Sequence, residues 1–188
     1  KQGCENMDKE QRQLKVLEQI KLAKKPISAS KLAKLFGVSR QLIVGDIALL
    51  RASGEKIFAT PRGYLIEQDQ PQGIYVQIAC KHDATKMADE LNIIVDEGAE
   101  IIDVIIEHPI YGELKGNLHL STRREVKQFI ESTKKYNAPL LSNLSHGVHL
   151  HTLKIKDQDT LKRIEEALIK ENILYTKEDE LKEGENYE

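Results

Sequence analysis

Two short helical segments joined by a glycine turn restrict the fold of this chain more than any other feature. Residues 28–36 and 40–52 each place apolar side chains at helical spacing, with the segment FGVS between them. In that segment Gly37 supplies a left-handed turn, Val38 fills the gap between the helices, and Ser39 caps the second helix. The pattern predicts a helix-turn-helix unit.

The segments on either side extend this unit into a winged helix. Residues 8–24 show apolar side chains at roughly helical spacing and are followed by a proline that ends the helix. Residues 55–66, EKIFATPRGYLI, contain two short apolar runs around a Pro-Arg-Gly turn, which predicts a two-stranded wing with Arg62 at its tip. We expect this domain to span residues 7–67, with Met7 as its native first residue.

The helical patterns also predict which side chains face the core. In the first helix the apolar spacing is carried by Leu14, Leu17, Ile20 and Leu22. The expected buried side chains of the next two helices are Leu32, Ala33, Leu35, Phe36, Leu42, Ile43, Ile47, Leu49 and Leu50.

Charge is distributed unevenly along the chain. Residues 1–70 contain 13 Lys and Arg against 8 Asp and Glu, whereas residues 71–188 contain 15 against 22. A basic segment joined to an acidic one suggests a nucleic-acid-binding module attached to another domain. Random surface charge is the alternative explanation of this imbalance.

The helix-turn-helix points one helix end towards DNA. The third helix is expected to enter the major groove of double-stranded operator DNA, where Ser39, Arg40 and Gln41 approach base edges. Arg51 and Arg62 are better placed for phosphate groups. A helix-turn-helix that makes only protein contacts is the alternative, but the helical pattern, turn glycine, wing and local charge together favour DNA binding.

A polar segment, EQDQPQG at residues 67–73, predicts a linker between two domains. Residues 73–176 then show strand and helix patterns in the order β-α-β-β-α-β, followed by a further helix and a short strand. This order is the split βαβ, ferredoxin-like plan. The chain is therefore predicted to be an α+β protein, with a charged and disordered tail at residues 177–188.

Composition argues against several classes of protein. The chain has two cysteines, too few for a disulfide framework. Its longest apolar runs fall far short of the ~20 residues that span a bilayer. We therefore expect a reduced, cytoplasmic protein that does not bind a membrane.

Two histidines, His149 and His151, lie on one predicted strand, GVHLHTLKI. Residues two apart on a strand share a face, so these imidazoles form half of a candidate metal site. His82, after the first strand of the domain, and Glu90, on the following helix, are candidates to complete it. Imidazole and carboxylate ligands suit Zn, Ni, Fe or Mn. The alternative is that each histidine is structural, as we expect for His119.

The separation between His82 and Glu90 limits this hypothesis. If all residues between them were helical, the chain would rise about 12 Å. That distance is too long for one ion with bonds of ~2.1 Å. The site therefore requires the helix to begin near residues 83–85, with His82 folded back towards it.

Several motifs resemble those of a known family. The segment GVSRQLIVGDIALLRASGEKIFATPRGYLI resembles a winged helix of the biotin-repressor type. EHPIYGEL at residues 107–114, LSNLSHGVHLHTL at residues 141–153, and His82 followed by Glu90 resemble the three-histidine (3H) domain. The combination, over about residues 8–175, resembles the niacin-responsive transcriptional repressors of bacteria, the NiaR family.

This resemblance implies a function and a set of ligands. The family represses genes for NAD biosynthesis and niacin uptake, with nicotinic acid as co-repressor. It forms homodimers, and its 3H domain binds a divalent transition metal such as nickel, zinc or iron. Carried onto this sequence, the metal ligands are His82, Glu90, His149 and His151. One departure is His146, where we expect a small or hydroxyl residue.

The effector is expected to bind beside the metal. Arg123, at the start of a helix, is suited to pair with the nicotinate carboxylate, and His108 and Tyr111 are expected to line the pocket. The alternatives are that Arg123 is simply solvated and that His108 is a structural loop residue.

Two other functions remain open from the sequence. An enzyme could use the histidines and Glu90 to activate water at a metal, but no second acid–base group accompanies them, so we predict that the chain is not an enzyme. In a metal-responsive repressor, the ion itself would be the signal. A biotin-ligase-type repressor is disfavoured because no glycine-rich adenylate loop is present.

Overall fold

A computed structural model describes residues 8–66, 73–137 and 139–176 of this chain. The chain divides into two compact units, Lys1–Gln70 and Pro71–Glu188. Each unit contains its own cluster of buried apolar side chains.

Two of the sequence predictions fall on other parts of the chain. Most of the predicted linker, and the whole of the predicted charged tail at residues 177–188, lie outside the described residues. Within the described ranges, no helix is long and apolar enough to cross a membrane.

The first unit consists of three helices and a two-stranded wing. Its elements are α1 (Lys9–Leu22), α2 (Ala29–Phe36), α3 (Arg40–Ala52), β1 (Ile57–Thr60) and β2 (Gly63–Ile66). The hydroxyl of Ser28 caps α2 by accepting the Lys31 N–H, and the hydroxyl of Ser39 caps α3 by accepting the Leu42 N–H. Gly37 has a φ of 65° between these helices. The helix-turn-helix expected from local residues is therefore confirmed.

The wing packs against the segment that precedes α2. β1 and β2 pair antiparallel, with Ile57 opposite Ile66, and Tyr64 forms an isolated bridge with Ile27. Gly63 has a φ of 133°, and a β-carbon at this position would collide with the backbone of Ile27. A glycine is therefore required where the wing meets the helical part of the unit.

Several apolar side chains that the sequence pattern assigns to the core of the first unit are not buried. Its buried apolar side chains are Val16, Leu17, Ile20, Ile27, Ala29, Leu32, Ala33, Ile43, Ile47, Leu50 and Ile57. The expectation that Leu35, Leu42 and Leu49 are buried is wrong, because all three are exposed. Leu14 and Leu22 of α1 are exposed as well. In α3 the buried residues recur three and four positions apart, so apolar residues adjacent to them fall outside the packed stripe.

A buried ion pair joins α1 to α3. Arg12 donates to both carboxylate oxygens of Asp46, with Nε–Oδ2 at 2.6 Å and NH2–Oδ1 at 3.1 Å, and Gln13 donates to Oδ1 at 3.2 Å. Burial alone would raise the pKa of Asp46, but these hydrogen bonds and the Arg12 charge lower it below its ordinary value. The buried carboxylate of Asp46 therefore faces donors on both oxygens.

The second unit is an α+β domain, as predicted. Its elements are β3 (Ile74–Lys81), a 3₁₀ turn (Ala84–Lys86), α4 (Met87–Asp96), β4 (Glu100–His108), β5 (Gly112–Leu120), α5 (Arg123–Tyr136), a second 3₁₀ turn (Leu141–Ser145), β6 (Val148–Ile155) and α6 (Gln158–Lys170). After α6, Leu174 forms an isolated bridge with Cys80 of β3.

The four strands form one sheet in the order β3-β6-β4-β5, and every neighbouring pair is antiparallel. The last strand, β6, is therefore inserted between β3 and β4. The register places Cys80 opposite His149 and Ile78 opposite His151. Ile78 and Cys80 belong to the same buried cluster as apolar side chains of α4, α5 and α6, so His149 and His151 lie on the helix-covered face of the sheet.

Candidate functional site

The carboxylate of Glu90 lies at the centre of a buried polar cluster. Glu90 is in the first turn of α4, and only 1% of the residue is exposed. Its Oε2 lies 2.8 Å from Nε2 of His82, and its Oε1 lies 3.0 Å from Nε2 of His149 and 3.4 Å from Nε2 of His151. The structure therefore brings together all four residues that the sequence analysis selected as metal ligands.

A short turn allows His82 to reach Glu90. Asp83 caps the 3₁₀ turn by accepting the Thr85 N–H at 2.8 Å, and the regular helix α4 begins only at Met87. Because most of the segment between His82 and Glu90 is not α-helical, the rise that would separate them in a continuous helix does not develop. His82 therefore folds back towards Glu90, as the sequence analysis required for a shared site.

Each imidazole is held from behind by a backbone carbonyl. Nδ1 of His82 lies 2.7 Å from the Asp83 oxygen, Nδ1 of His149 lies 2.9 Å from the Gly147 oxygen, and Nδ1 of His151 lies 2.6 Å from the Asp103 oxygen. A carbonyl oxygen only accepts hydrogen bonds, so the hydrogen of each ring must be on Nδ1. All three rings are thereby held in the same tautomer.

This tautomer leaves the contacts with Glu90 without donors. A neutral imidazole with its hydrogen on Nδ1 presents a lone pair at Nε2, and an ionised carboxylate only accepts hydrogen bonds. If all three rings are neutral, three lone pairs therefore face the oxygens of Glu90. A proton or another cation must lie between them for these contacts to be favourable.

A divalent cation fits this donor set. Protonation of every ring would bury three positive charges against one carboxylate, which carries a large desolvation cost. One divalent ion among three neutral imidazoles and a carboxylate satisfies the same lone pairs with less buried charge. Backbone carbonyls on the outer nitrogens are also typical of histidines that bind metal.

In the metal-free cluster, the electrostatics favour protonated rings beside Glu90. Burial alone would raise the pKa of Glu90, but the charge of His151 and the contacts with the rings hold the pKa well below its ordinary value. Burial alone would lower the pKa values of His82 and His151, but Glu90 outweighs this effect and raises both. The cluster therefore favours an ionised carboxylate with positive charge beside it.

Cys80 is a neighbour of the cluster that the sequence analysis missed. Its side chain is fully buried beside Glu90 and His149. Burial raises the pKa of the Cys80 thiol far above its ordinary value, and the charge and hydrogen bond of Glu90 add to that effect. Strand alternation places Cys80 on the same face as Ile78, but its alignment with His149 depends on a register that local sequence does not reveal.

His108 and Tyr111 lie together at the hairpin between β4 and β5. Nδ1 of His108 accepts the N–H groups of Ile110 and Tyr111 at 3.2 and 3.3 Å, and the two rings lie 5.0 Å apart between centroids. Val104 of β4 is opposite His151 and β4 runs antiparallel to β6, so His108 lies towards the end of the sheet at which His149 is found. Tyr111 is largely exposed.

Arg123 is not brought together with these two residues. Its guanidinium binds both carboxylate oxygens of Asp96, with Nε–Oδ1 at 2.7 Å and NH2–Oδ2 at 2.5 Å. It follows the end of β5, where Leu120 pairs with Ile101, at the opposite end of the sheet from the hairpin. The structure thus separates Arg123 from His108 and Tyr111.

The residues selected for DNA contact lie on α3 and the wing. Ser39, Arg40 and Gln41 are exposed at the N-terminal end of α3, and Arg51 is exposed near its C-terminal end. The hydroxyl of Ser39 accepts the Leu42 N–H as a helix cap. Arg62 is half-buried in the turn of the wing, less accessible than a wing-tip arginine was expected to be.

The remaining histidines have separate positions. His119 lies in β5, and its Nδ1 is 3.0 Å from Oε1 of Glu100. His146 is exposed with a φ of 51°, just before Gly147. Neither residue contributes a contact to Glu90 among those described above.

A winged helix joined to an α+β domain with a buried polar cluster defines a class of protein, the DNA-binding transcription regulators that carry a second, sensory domain. Comparison with known families gives the same division. The 3H domain family matches residues 75–177, and a helix-turn-helix (HTH) domain family matches residues 12–65.

Two curated relatives cover most of the chain. The probable transcription repressor NiaR of Thermotoga maritima is 39% identical over 166 residues, which are 88% of this chain and 94% of that protein. The transcription repressor NadR of Bacillus subtilis is 42% identical over 158 residues, which are 82% of this chain and 88% of that protein. The chain belongs to this NiaR family of 3H-domain transcription repressors, and the resemblance noted in its motifs is confirmed.

Proposed function

We propose that this protein represses genes of NAD biosynthesis and niacin uptake, binding operator DNA with nicotinic acid as co-repressor. A divalent transition metal in the 3H domain is part of the effector site. The observation that carries the proposal is the buried Glu90 carboxylate facing three imidazole lone pairs, since it calls for a cation in the domain attached to the winged helix. Membership in a family of repressors favours this regulatory role over an enzymatic one.

The metal ligands in this proposal are His82, Glu90, His149 and His151. Nickel, zinc and iron all suit imidazole and carboxylate ligands. Four protein ligands leave up to two positions of an octahedral ion open, and nicotinic acid could fill one of them with either its carboxylate or its ring nitrogen.

His108 and Tyr111 are the proposed contacts for the pyridine ring of the effector. Their hairpin lies towards the metal-ligand end of the sheet, and Tyr111 exposes an aromatic surface that is available for stacking. Arg123 was expected to bind the carboxylate, but its position near the other end of the sheet and its pairing with Asp96 do not support that role.

DNA binding is proposed to use Ser39, Arg40 and Gln41 for base edges, with Arg51 and Arg62 for phosphates. A homodimer would present two α3 helices to half-sites about 34 Å apart. Nicotinic acid acts as a co-repressor only if it binds the DNA-competent dimer more tightly than the other state.

A mobility-shift assay tests this function directly. Operators are selected from random double-stranded DNA, once with and once without nicotinate, and affinity is then measured while metal and nicotinate are titrated separately. We expect nicotinate to tighten binding by roughly 5–150-fold in the presence of metal. Nicotinamide, which has no carboxylate, is the matched control and should have a much smaller effect.

A second function is favoured by the same cluster. In a metal-responsive repressor, the ion alone would complete the contacts around Glu90 and change the affinity for DNA. Full DNA affinity with metal alone, and no change on adding nicotinate, would replace the co-repressor proposal with this one. His119→Asn serves as a control for histidine substitutions, because the ring of His119 contacts Glu100.

A further inference from the structure

A sulfur atom lies beside the proposed metal ligands. Sγ of Cys80, a carboxylate oxygen of Glu90 and a ring nitrogen of His149 all lie within 4.8 Å of one another. All three residues are buried, with exposed fractions of 0%, 1% and 3% respectively. The donor set at this point therefore contains nitrogen, oxygen and sulfur.

The register between β3 and β6 determines where the Cys80 sulfur lies. Cys80 on β3 is directly opposite His149 on β6 in an antiparallel pair, and side chains in such a pair lie on one face with β-carbons about 4.5–5.5 Å apart. α4 then brings Glu90 over the same face. The position of Cys80 thus follows from the same packing that assembles the histidines.

The separations suit a single ion bonded to all three donors. Zinc–sulfur bonds are about 2.3 Å and zinc–nitrogen bonds about 2.0–2.1 Å, so donors around one ion lie at most about 4.4 Å apart. The observed separations, all within 4.8 Å, are close to that limit. The contacts of three imidazole nitrogens with Glu90 favour a cation at the same place.

We propose that Cys80 is a further metal ligand, bound as a thiolate, and that its sulfur makes the site select zinc, cobalt, nickel or iron(II) over manganese and magnesium. On binding, the S–H bond breaks, a sulfur–metal bond forms and the proton passes to solvent, with no change in oxidation state. This inference rests on the metal site of the proposed function. Without metal, Cys80 instead stays a buried thiol beside Glu90.

Cobalt(II) spectroscopy distinguishes these two roles of Cys80. All proteins are full-length and carry Cys4→Ser, which removes the other cysteine of the chain. With Cys80 present, the Co²⁺-loaded protein should show visible d–d bands together with a near-ultraviolet sulfur-to-cobalt charge-transfer band. In Cys80→Ser and Cys80→Ala the charge-transfer band should disappear while the d–d bands remain.

The outcomes separate this inference from the proposal on which it rests. Visible d–d bands without a charge-transfer band in the Cys80 protein would overturn the role of the thiolate and leave the metal site intact. Failure to bind Co²⁺, Ni²⁺ or Zn²⁺ at all would overturn both. A charge-transfer band that persists in Cys80→Ala would show that the sulfur ligand is elsewhere.

X-ray absorption of the Zn²⁺-loaded Cys4→Ser protein gives a result that does not depend on how the Cys80 variants fold. A sulfur neighbour should appear at about 2.3 Å beside nitrogen and oxygen neighbours at about 2.0–2.2 Å. A zinc shell that contains only nitrogen and oxygen would contradict the proposal.

Metal competition tests the selectivity. Cys80→Ala should weaken Zn²⁺ binding by roughly 10–100-fold, a range typical of lost support at a metal site, and should affect Mn²⁺ much less. An equal loss for both ions would show that the sulfur does not determine selectivity. The Cys4→Ser protein with Cys80 intact is the reference for both measurements.

Discussion

The buried carboxylates of Asp46 in the first unit and Glu90 in the second both lie among nitrogen groups, but their hydrogen-bonding partners differ. Asp46 in the winged helix accepts hydrogen bonds from Arg12 and Gln13, so every close partner is a donor. Glu90 in the 3H domain faces three Nε2 atoms whose rings carry their hydrogens on the other nitrogen. The first site is complete within the chain, whereas the second is the site at which we propose that a metal ion binds.

This difference separates a structural site from the proposed metal site. A buried carboxylate that accepts hydrogen bonds from neighbouring side chains stabilises the packing of two helices and needs no ligand. A buried acid that faces acceptors has a cost that a bound ion removes. Burial and residue type are alike at Asp46 and Glu90, so only the identity of the hydrogen-bonding partners separates the two roles.

The largest expected effect is at the buried pair of Arg12 and Asp46. Asp46→Ala leaves the Arg12 guanidinium buried without its partner, and removal of one member of a buried pair costs about 3–5 kcal/mol. We expect the free energy of unfolding of the first unit to fall by that amount in urea titrations. Replacing both residues, with Arg12→Met and Asp46→Leu, should restore most of the loss. A loss below about 1 kcal/mol for Asp46→Ala would mean that the pair is not structural.

Glu90→Gln should lower metal affinity without lowering the stability of the protein, unlike Asp46→Ala. The amide keeps the size of Glu90 and can donate a hydrogen to an Nε2 lone pair, so the metal-free protein should be no less stable than the original. Metal affinity, measured by competition with a chelator, should fall by at least about 100-fold, the upper end of the loss seen when metal-site support is removed. If Glu90→Gln instead destabilises the metal-free protein by about 3 kcal/mol or more, then Glu90 is a structural acid like Asp46.

Arg40→Ala tests whether the two units have separate roles. Arg40 is exposed at the N-terminal end of α3, so its loss should cost about 1–3 kcal/mol of sequence-specific DNA binding. Binding to random DNA should change less, and the metal content of the protein should be unaltered. A loss of metal from Arg40→Ala would contradict the assignment of DNA and metal binding to different units.

The smallest expected effect is the contribution of Asp46 to the pH dependence of the free energy of unfolding. The pKa of Asp46 in the folded protein is lowered from its ordinary value of 3.8. A lowered folded pKa adds stability above the unfolded value and loses it as pH falls through the folded value. Below about pH 4, the free energy of unfolding should therefore decline more steeply in the original protein than in Asp46→Asn. Parallel acid profiles for the two proteins would refute this reading of the Arg12–Asp46 contact.

Much of the fold could be predicted because its signals are local. The turn at Gly37, the cap at Ser39 and the β-strand alternation of residues 148–155 each depend on a few adjacent residues. The errors concern apolar residues such as Leu42 and Leu49, which are exposed. Their sequence neighbourhood is apolar throughout α3, and the packing of α1 and the wing decides which stripe is buried.

Some residues of the candidate site could be predicted from the sequence more readily than others. Alternation along one strand is sufficient to pair His149 with His151. His82 and Glu90 were only candidates from their positions, and the family resemblance strengthened their selection, since the 3₁₀ turn that brings them together is not evident from periodicity. Cys80 was missed because its alignment with His149 joins strands that are far apart in the chain.

The sequence by itself determined the helix-turn-helix, the wing and the shared face of His149 and His151, because turns, caps and alternation arise from steric preferences between near neighbours. Only the tertiary structure decided what those imidazoles face. The insertion of β6 between β3 and β4 brings Cys80 to His149, and the packing of α4 brings Glu90 over both. Those contacts depend on burial and register between distant segments, which no local pattern specifies.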